Sequence, residues 1–271
     1  MRGSSNPAFR NLPVGQQGGY ATFDRNAGAA GGMAGATDMY ASGADYGRAA
    51  AGERPLTVDD VVSKTAVVVG VTVVAGVITA VAQAYFLAIP ALIVGLVLAL
   101  IIIFRQSMNP ALILGYAVAE GVLLGAITGA LEFSGTQFEG IGFQAIIGTF
   151  GVFFGMLVVY KTGAVRVTPR FTKWLMGALI GVVVLMLANF VASFFTTGGL
   201  GLRDGSPLAY LFSIVVIGVA AFMLLLDFDG ADKAVKAGAP AKVAWYIAFG
   251  LLVTLVWLYL EILRLLSYLR E

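Results

Sequence analysis

From residue 57 onward the chain alternates long apolar runs with short polar breaks. A hydrocarbon core ~30 Å thick is crossed by roughly 20 apolar residues in helical form. Seven runs reach that length, at about 65–84, 87–104, 110–131, 143–160, 174–195, 208–226 and 243–267. The breaks between them carry helix punctuation. Pro90 lies just inside the second run, Asn109-Pro110 opens the third, Pro169 precedes the fifth, and "GGLGLRDGSP" precedes the sixth. The first two runs are parted only by a tight turn, so a six-helix alternative would merge them or drop one. "LTVDD" opens the ordered part, with Thr57 placed to cap a helix and Asp60 at the third helical position to close a capping box. The pattern predicts an all-α membrane protein, a seven-transmembrane helix bundle.

Residues 1–56 follow a different rule. They are Gly- and Ala-rich, scattered with Tyr, Asp and Arg, and show neither a helical nor an alternating period. Such a stretch has too little apolar mass to form a core, which predicts a disordered cytoplasmic tail ahead of a transmembrane domain at 57–271. No apolar segment follows the first basic residue, so a signal peptide is not expected there.

Composition agrees with the pattern: 59% of residues are hydrophobic and 12% charged, where a soluble domain is about a quarter charged. The chain has no cysteine and no histidine. That removes disulfides, thiolate and imidazole metal sites, and Ser-His or Cys-His catalysis. There is no G-x-S-x-G element, no pair of deep aspartates for an intramembrane aspartyl protease, and no lysine after Lys242 to carry retinal. An enzyme is therefore not expected, nor a cofactor. The net charge of +2 is too small to argue for nucleic-acid binding.

The basic residues set an orientation. Arg2, Arg10, Arg25, Arg48, Arg54 and Lys64 precede the first span. Arg105 follows the second, Lys161, Arg166, Arg170 and Lys173 follow the fourth, and Lys233, Lys236 and Lys242 follow the sixth. With seven spans all these loops fall on one side, which the positive-inside rule makes cytoplasmic and which puts the C-terminus outside. Within the third span, Gly121, Gly125 and Gly129 repeat at four-residue spacing on one face, a pattern that lets membrane helices approach closely.

Charged side chains at bilayer depth cost about 2.5–3.5 kcal/mol on insertion scales, so each must face protein or water. Glu120 lies midway along the third span and is either proton-sensitive on a polar path or hydrogen-bonded to Asn189, Gln83 or Thr128. Asp227 and Asp229 close the sixth span and, with Asp232, precede Lys233 and Lys236. They read as a solvated end with local salt bridges or as a carboxylate cluster at a pore mouth, where oxygen ligands would suit calcium. Glu261 and Arg264 share a helical face and can pair. Counted from Lys242, Glu261 lies ~28 Å along the axis, near the outer interface, where Arg264 can snorkel. An interfacial ion pair, or an outer gate, is expected there.

"YAVAEGVLLGAITGALE", "LLLDFD" and "AWYIAFGLLVTLVWLYLEILRLLSYL" together resemble the transmembrane Bax inhibitor motif family, in its bacterial YccA-like branch. The opening "MRGSSNPAFRNLP" with its Gly-rich tail is similar to actinobacterial members. The resemblance spans about residues 57–268 and implies a seven-helix bundle whose last helix packs among the other six. It also implies a pH-sensitive calcium leak, or regulation of a membrane protease, in the plasma (inner) membrane of a bacterium. In the family an aspartate ending helix six pairs with one in helix seven as a pH sensor. Asp227 matches the first, with Asp229 as its neighbour. The second position is open: matching "LYLE" selects Glu261, while matching "ILRL" selects Thr254, and the depth count favours Thr254. The expected function is a cation leak channel or transporter, with calcium or a proton as the ion. The alternative is a non-transporting regulator that binds a membrane protease or another membrane protein.

Overall fold

A computed structural model describes residues 48–50, 52–196 and 198–270. Most of the expected tail, residues 1–47, lies outside the described residues. Seven long helices follow one another: α1 (Val58–Val81), α2 (Ala88–Arg105), α3 (Pro110–Ser134), α4 (Ile141–Thr162), α5 (Pro169–Ala192), α6 (Pro207–Lys236) and α7 (Val243–Tyr268). All seven are long and apolar enough to cross a membrane. Of the two counts the sequence allowed, seven is the one observed, with α1 and α2 parted by a turn and a single 3₁₀ turn at Tyr85–Leu87.

Local chemistry sets the helix ends. The Thr57 hydroxyl accepts the Asp60 amide at 3.3 Å, and the Asp60 carboxylate accepts the Thr57 amide at 3.1 Å, which completes the expected capping box. Three other helices begin with a polar cap followed by proline: Asn109-Pro110, Thr168-Pro169 and Ser206-Pro207. Proline at the first helical position loses nothing, since that amide has no intrahelical partner. At the far end of α4, Gly163 turns left-handed at φ 67° and ends the helix.

The sixth helix differs from the expected span. It does not end at Asp227 but continues to Lys236. The length rule counts apolar residues, whereas a helix continues until something breaks it. "DFDGADKAVK" contains no proline, and two of its three acids are neutralised one turn on: Asp229 pairs with Lys233 at 2.6 Å and Asp232 with Lys236 at 2.5 Å. The break comes at Gly238, at φ 69°. Asp227 is therefore an interior residue of α6, and no helix end opposes its charge.

Helix α7 is the axis of the bundle. Within its apolar stretch 72% is buried, against 17% to 50% for the other six helices. It packs on α1, α3, α4 and α6, as expected for a last helix set among the others. One face meets α1–α3 through Tyr246, Phe249, Leu252 and Val256. Another meets α6 and α4 through Ala244, Ile247, Leu251, Leu255 and Leu258. Helix α5 packs chiefly on α6 and leaves Ile180, Val184, Leu187 and Phe190 exposed, as a lipid-facing helix does.

The α1–α3 contact is the tightest in the bundle. A Cβ placed on Gly121 would collide with the Thr72 carbonyl, and one on Gly125 with the Gly76 carbonyl. A Cβ on Gly129 would sit 2.7 Å from the Tyr85 ring. The glycine face seen in the sequence is thus the surface on which α1 lies. Thr72 adds a hydrogen bond across it, from Oγ1 to the Ala117 carbonyl at 3.1 Å.

The described end of the expected tail belongs with the bundle. Ala49 N donates to the Gly238 carbonyl at 3.0 Å, Leu56 N to the Ala239 carbonyl at 2.7 Å, and Ala241 N to the Arg54 carbonyl at 3.0 Å. Leu56 is buried in the α6–α7 core, and Lys242 pairs with Glu53 at 3.0 Å. The segment ahead of α1 is therefore strapped across the α6–α7 loop.

Candidate functional site

Asp227 and Thr254 meet at the α6–α7 interface. Thr254 lies in the middle of α7, 6% exposed, and its hydroxyl donates to Asp227 Oδ2 at 2.7 Å. The same hydroxyl lies 3.3 Å from the Gly250 carbonyl one turn back. Of the two registers open in the sequence, the one that selects Thr254 brings the α7 residue to Asp227. A hydroxyl, with no charge of its own, stands opposite the acid. Among the described residues no Lys or Arg forms an ion pair with Asp227, so its charge is uncompensated when ionised.

Asp229 does not join it. Residues two apart on a helix point to different faces, and Asp229 pairs with Lys233 instead. Asp232 binds Lys236 and accepts the Tyr160 hydroxyl from α4 at 3.3 Å. The local salt bridges of one sequence reading are thus present for Asp229 and Asp232. Among the described residues no cluster of three or more acidic side chains gathers at a point. Any cation at Asp227 would complete its shell with backbone oxygens and water.

Glu120 lies on α3 one turn after Tyr116, on the same helical face. Its Oε1 faces α2, 3.1 Å from where a Gly95 Cβ would be. None of the three partners considered for it takes that role. Thr128 shares a hydrogen bond with Tyr259 at 2.7 Å, and Asn189 accepts the Leu200 amide at 2.9 Å. Gln83 sits in the α1–α2 turn at φ 52°. Tyr116 packs edge-on against Phe249 of α7. Glu120 thus faces α2 whereas Asp227 faces α7, and the two share no hydrogen-bond partner.

The expected Glu261–Arg264 pair is present, and a second arginine joins it. Glu261 is only 3% exposed and is held by two arginines, Arg264 at 2.9 Å and Arg203 at 3.0 Å, both on Oε1. Arg203 comes from the α5–α6 loop, and a count along α7 gives depth but no neighbours. The Oε2 atom is buried with no hydrogen-bond partner among the described residues. The cluster ties that loop to the last helix at the end of the bundle opposite the Lys233–Lys242 loop. On the same side Tyr210 donates to the Tyr268 carbonyl, and the Arg270 guanidinium binds the Gln137 and Glu139 carbonyls at 2.9 Å each.

Two further features escaped the sequence reading. The Thr128–Tyr259 pair joins α3 to α7 across 131 residues. Glu132 accepts the Gly142 amide at 3.0 Å and so caps α4 with a side chain from α3.

Seven helices long and apolar enough to cross a membrane, packed around a central last helix, define a polytopic membrane protein of the seven-helix bundle class. The family described as Bax inhibitor 1 like matches residues 6–271, and the chain belongs to it. None of the curated proteins compared matches the chain.

Proposed function

We propose that this protein is a pH-sensitive cation leak pathway, with calcium as the favoured ion, and that Asp227 is its sensing and ion-contacting group. The Asp227–Thr254 contact carries the reading. It joins α6 to the central helix inside the membrane, through an acid with no countercharge. Loss or gain of one proton there changes the net charge of the interface by a full unit.

The chemistry differs from that of two facing carboxylates. Paired acids share a proton and repel once both ionise. A threonine donates to the ionised carboxylate and accepts from the protonated acid, so the contact survives both states with its donor reversed. Protonation then alters what the site offers a cation more than it alters the latch. Ionised, Asp227 presents a carboxylate with spare lone pairs. Calcium takes 6–8 oxygen ligands, so one carboxylate and one hydroxyl leave most of its shell to water and backbone carbonyls. Such a site binds weakly, which suits passage better than storage. Asp229, paired with Lys233, is a second-rank contributor, and Glu120 lies apart from this site on the α2–α3 side. Glu261 with Arg203 and Arg264 closes the opposite end of the bundle.

No catalytic step or cofactor belongs to this reading. The bacterial YccA-like branch and a plasma-membrane location with the N-terminus inside belong to it, supported by the quoted motifs and the basic loops. The test is calcium entry into proteoliposomes loaded with an indicator. Wild-type protein conducts and Asp227→Asn loses most of the flux. Unchanged flux in the variant would remove Asp227 from the mechanism. No flux in the wild type would leave the alternative reading, a regulator of a membrane protease or another membrane protein. Partner capture before and after deletion of residues 1–47 addresses that alternative.

A further inference from the structure

A cavity of about 420 Å³ lies between α1, α3, α4 and α7, and Asp227 is not part of its lining. Helix α1 packs on α3 and α7, while α4 packs on α7 and α6, which leaves the α1–α4 seam open. Val77, Val81 and Phe143 stand exposed at its rim, and Val69, Val73, Ile146 and Phe150 line its walls. The size is that of a small-molecule site. The open seam faces the lipid, so the ready supply of ligands is the bilayer itself.

The floor is not apolar. Thr128 and Tyr259, 7% and 9% exposed, share one hydrogen bond at 2.7 Å. Two hydroxyls carry two protons, and a single bond between them uses one. The other is left to donate to an acceptor. Glu132 lines the same end, where its Oε1 accepts the Gly142 amide. A carboxylate so placed repels an anionic head group and accepts from a hydroxyl. Thr72 and Thr149 are also at the cavity wall, but both hydroxyls are engaged by backbone carbonyls.

We propose that this cavity binds one neutral, hydroxyl-headed, single-chain amphiphile from the bilayer. Its chain lies along Val73, Val77 and Ile146, and its head sits against Thr128, Tyr259 and Glu132. The site discriminates against the ionised fatty acid of the same length because of Glu132. It stands apart from the cation reading, which rests on α6.

The test uses purified full-length protein in nanodiscs and a long-chain alcohol bearing a diazirine in its chain, with crosslinks mapped by mass spectrometry. Expected is saturable labelling at Val73, Val77, Phe143 or Ile146. Excess unlabelled alcohol should compete at least tenfold better than the fatty acid of equal length at pH 8. Val77→Trp, at the exposed rim where folding tolerates bulk, should reduce labelling about tenfold. Tyr259→Phe should weaken competition by the alcohol several-fold while leaving that by a plain alkane unchanged. Glu132→Gln should narrow the gap between alcohol and acid. Non-saturable labelling spread equally over Ile180 and Leu187 of α5 would overturn the proposal. So would labelling indifferent to Val77→Trp, or equal competition by alcohol and acid.

Discussion

Replacing Gly125 by alanine adds a single methyl group, and the structure says what that methyl meets. It collides with the carbonyl, carbonyl carbon and Cα of Gly76, all backbone atoms of α1. A flexible side chain could step aside; a backbone cannot, so α1 and α3 must move apart. Overpacking costs about 1–3 kcal/mol where neighbours relax, and a backbone obstacle belongs at the upper end. For a domain of this size that corresponds to roughly 2–12 °C in melting temperature. The separation also strains the Thr72 bond to the Ala117 carbonyl. The control is Gly181→Ala on α5, where a Cβ meets nothing within 4 Å. There alanine should be neutral or gain up to about 1 kcal/mol from helix propensity. Thermal unfolding of both variants in the same detergent, followed by tryptophan fluorescence, reads the difference. Equal melting temperatures would refute the claim that α1 and α3 meet backbone to backbone at Gly125.

Thr254→Asp puts a second carboxylate beside Asp227, and two charges ~4 Å apart repel by about 4 kcal/mol at an effective dielectric of 20, so calcium flux should depend more steeply on pH than in the wild type. Glu261→Gln leaves Arg203 and Arg264 without their anion. The loss should fall near or below the lower end of the roughly 3–5 kcal/mol for breaking a buried pair, because the arginine side chains keep 23% and 32% exposure, and chemical denaturation measures it. Glu53 outside the membrane is held below its usual carboxyl range by its hydrogen bond to Lys242, with smaller help from the Ala50 amide and the Lys242 charge. A depressed carboxyl stabilises above its unfolded value and loses that contribution as pH falls through the folded one. Protection factors at Ala49, Leu56 and Ala241, taken against the intrinsic exchange rate at each pH, should therefore fall in acid, and Glu53→Gln should show the lower protection already at neutral pH.

The span count was legible because each apolar run met a bilayer thickness and each break carried a cap or a proline. The Gly121–Gly125–Gly129 face was legible because spacing alone puts three glycines on one side of a helix. Depth counting along α7 also picked Thr254 over Glu261 for the position facing Asp227. What was not legible came from other segments. Arg203 reaches Glu261 from 58 residues away, and Tyr259 meets Thr128 across 131. No count along one helix shows such neighbours. The continuation of α6 past Asp227 was hidden for another reason. Apolar content marks where lipid ends, while helix breakers mark where the helix ends, and in α6 these points differ. The segment ahead of α1 had only composition to speak for it, and composition does not record that Leu56 has a core to enter.

In the proposed mechanism one acid, Asp227, senses protons and contacts the permeant cation. The most direct measurement is the pH profile of calcium flux in proteoliposomes, wild type beside Asp227→Asn, at matched protein density and with matched folding by size-exclusion chromatography. Expected is a wild-type flux that changes through the titration of a single group, and a variant flux that is low and flat across the same range. Identical profiles for the two proteins would contradict it.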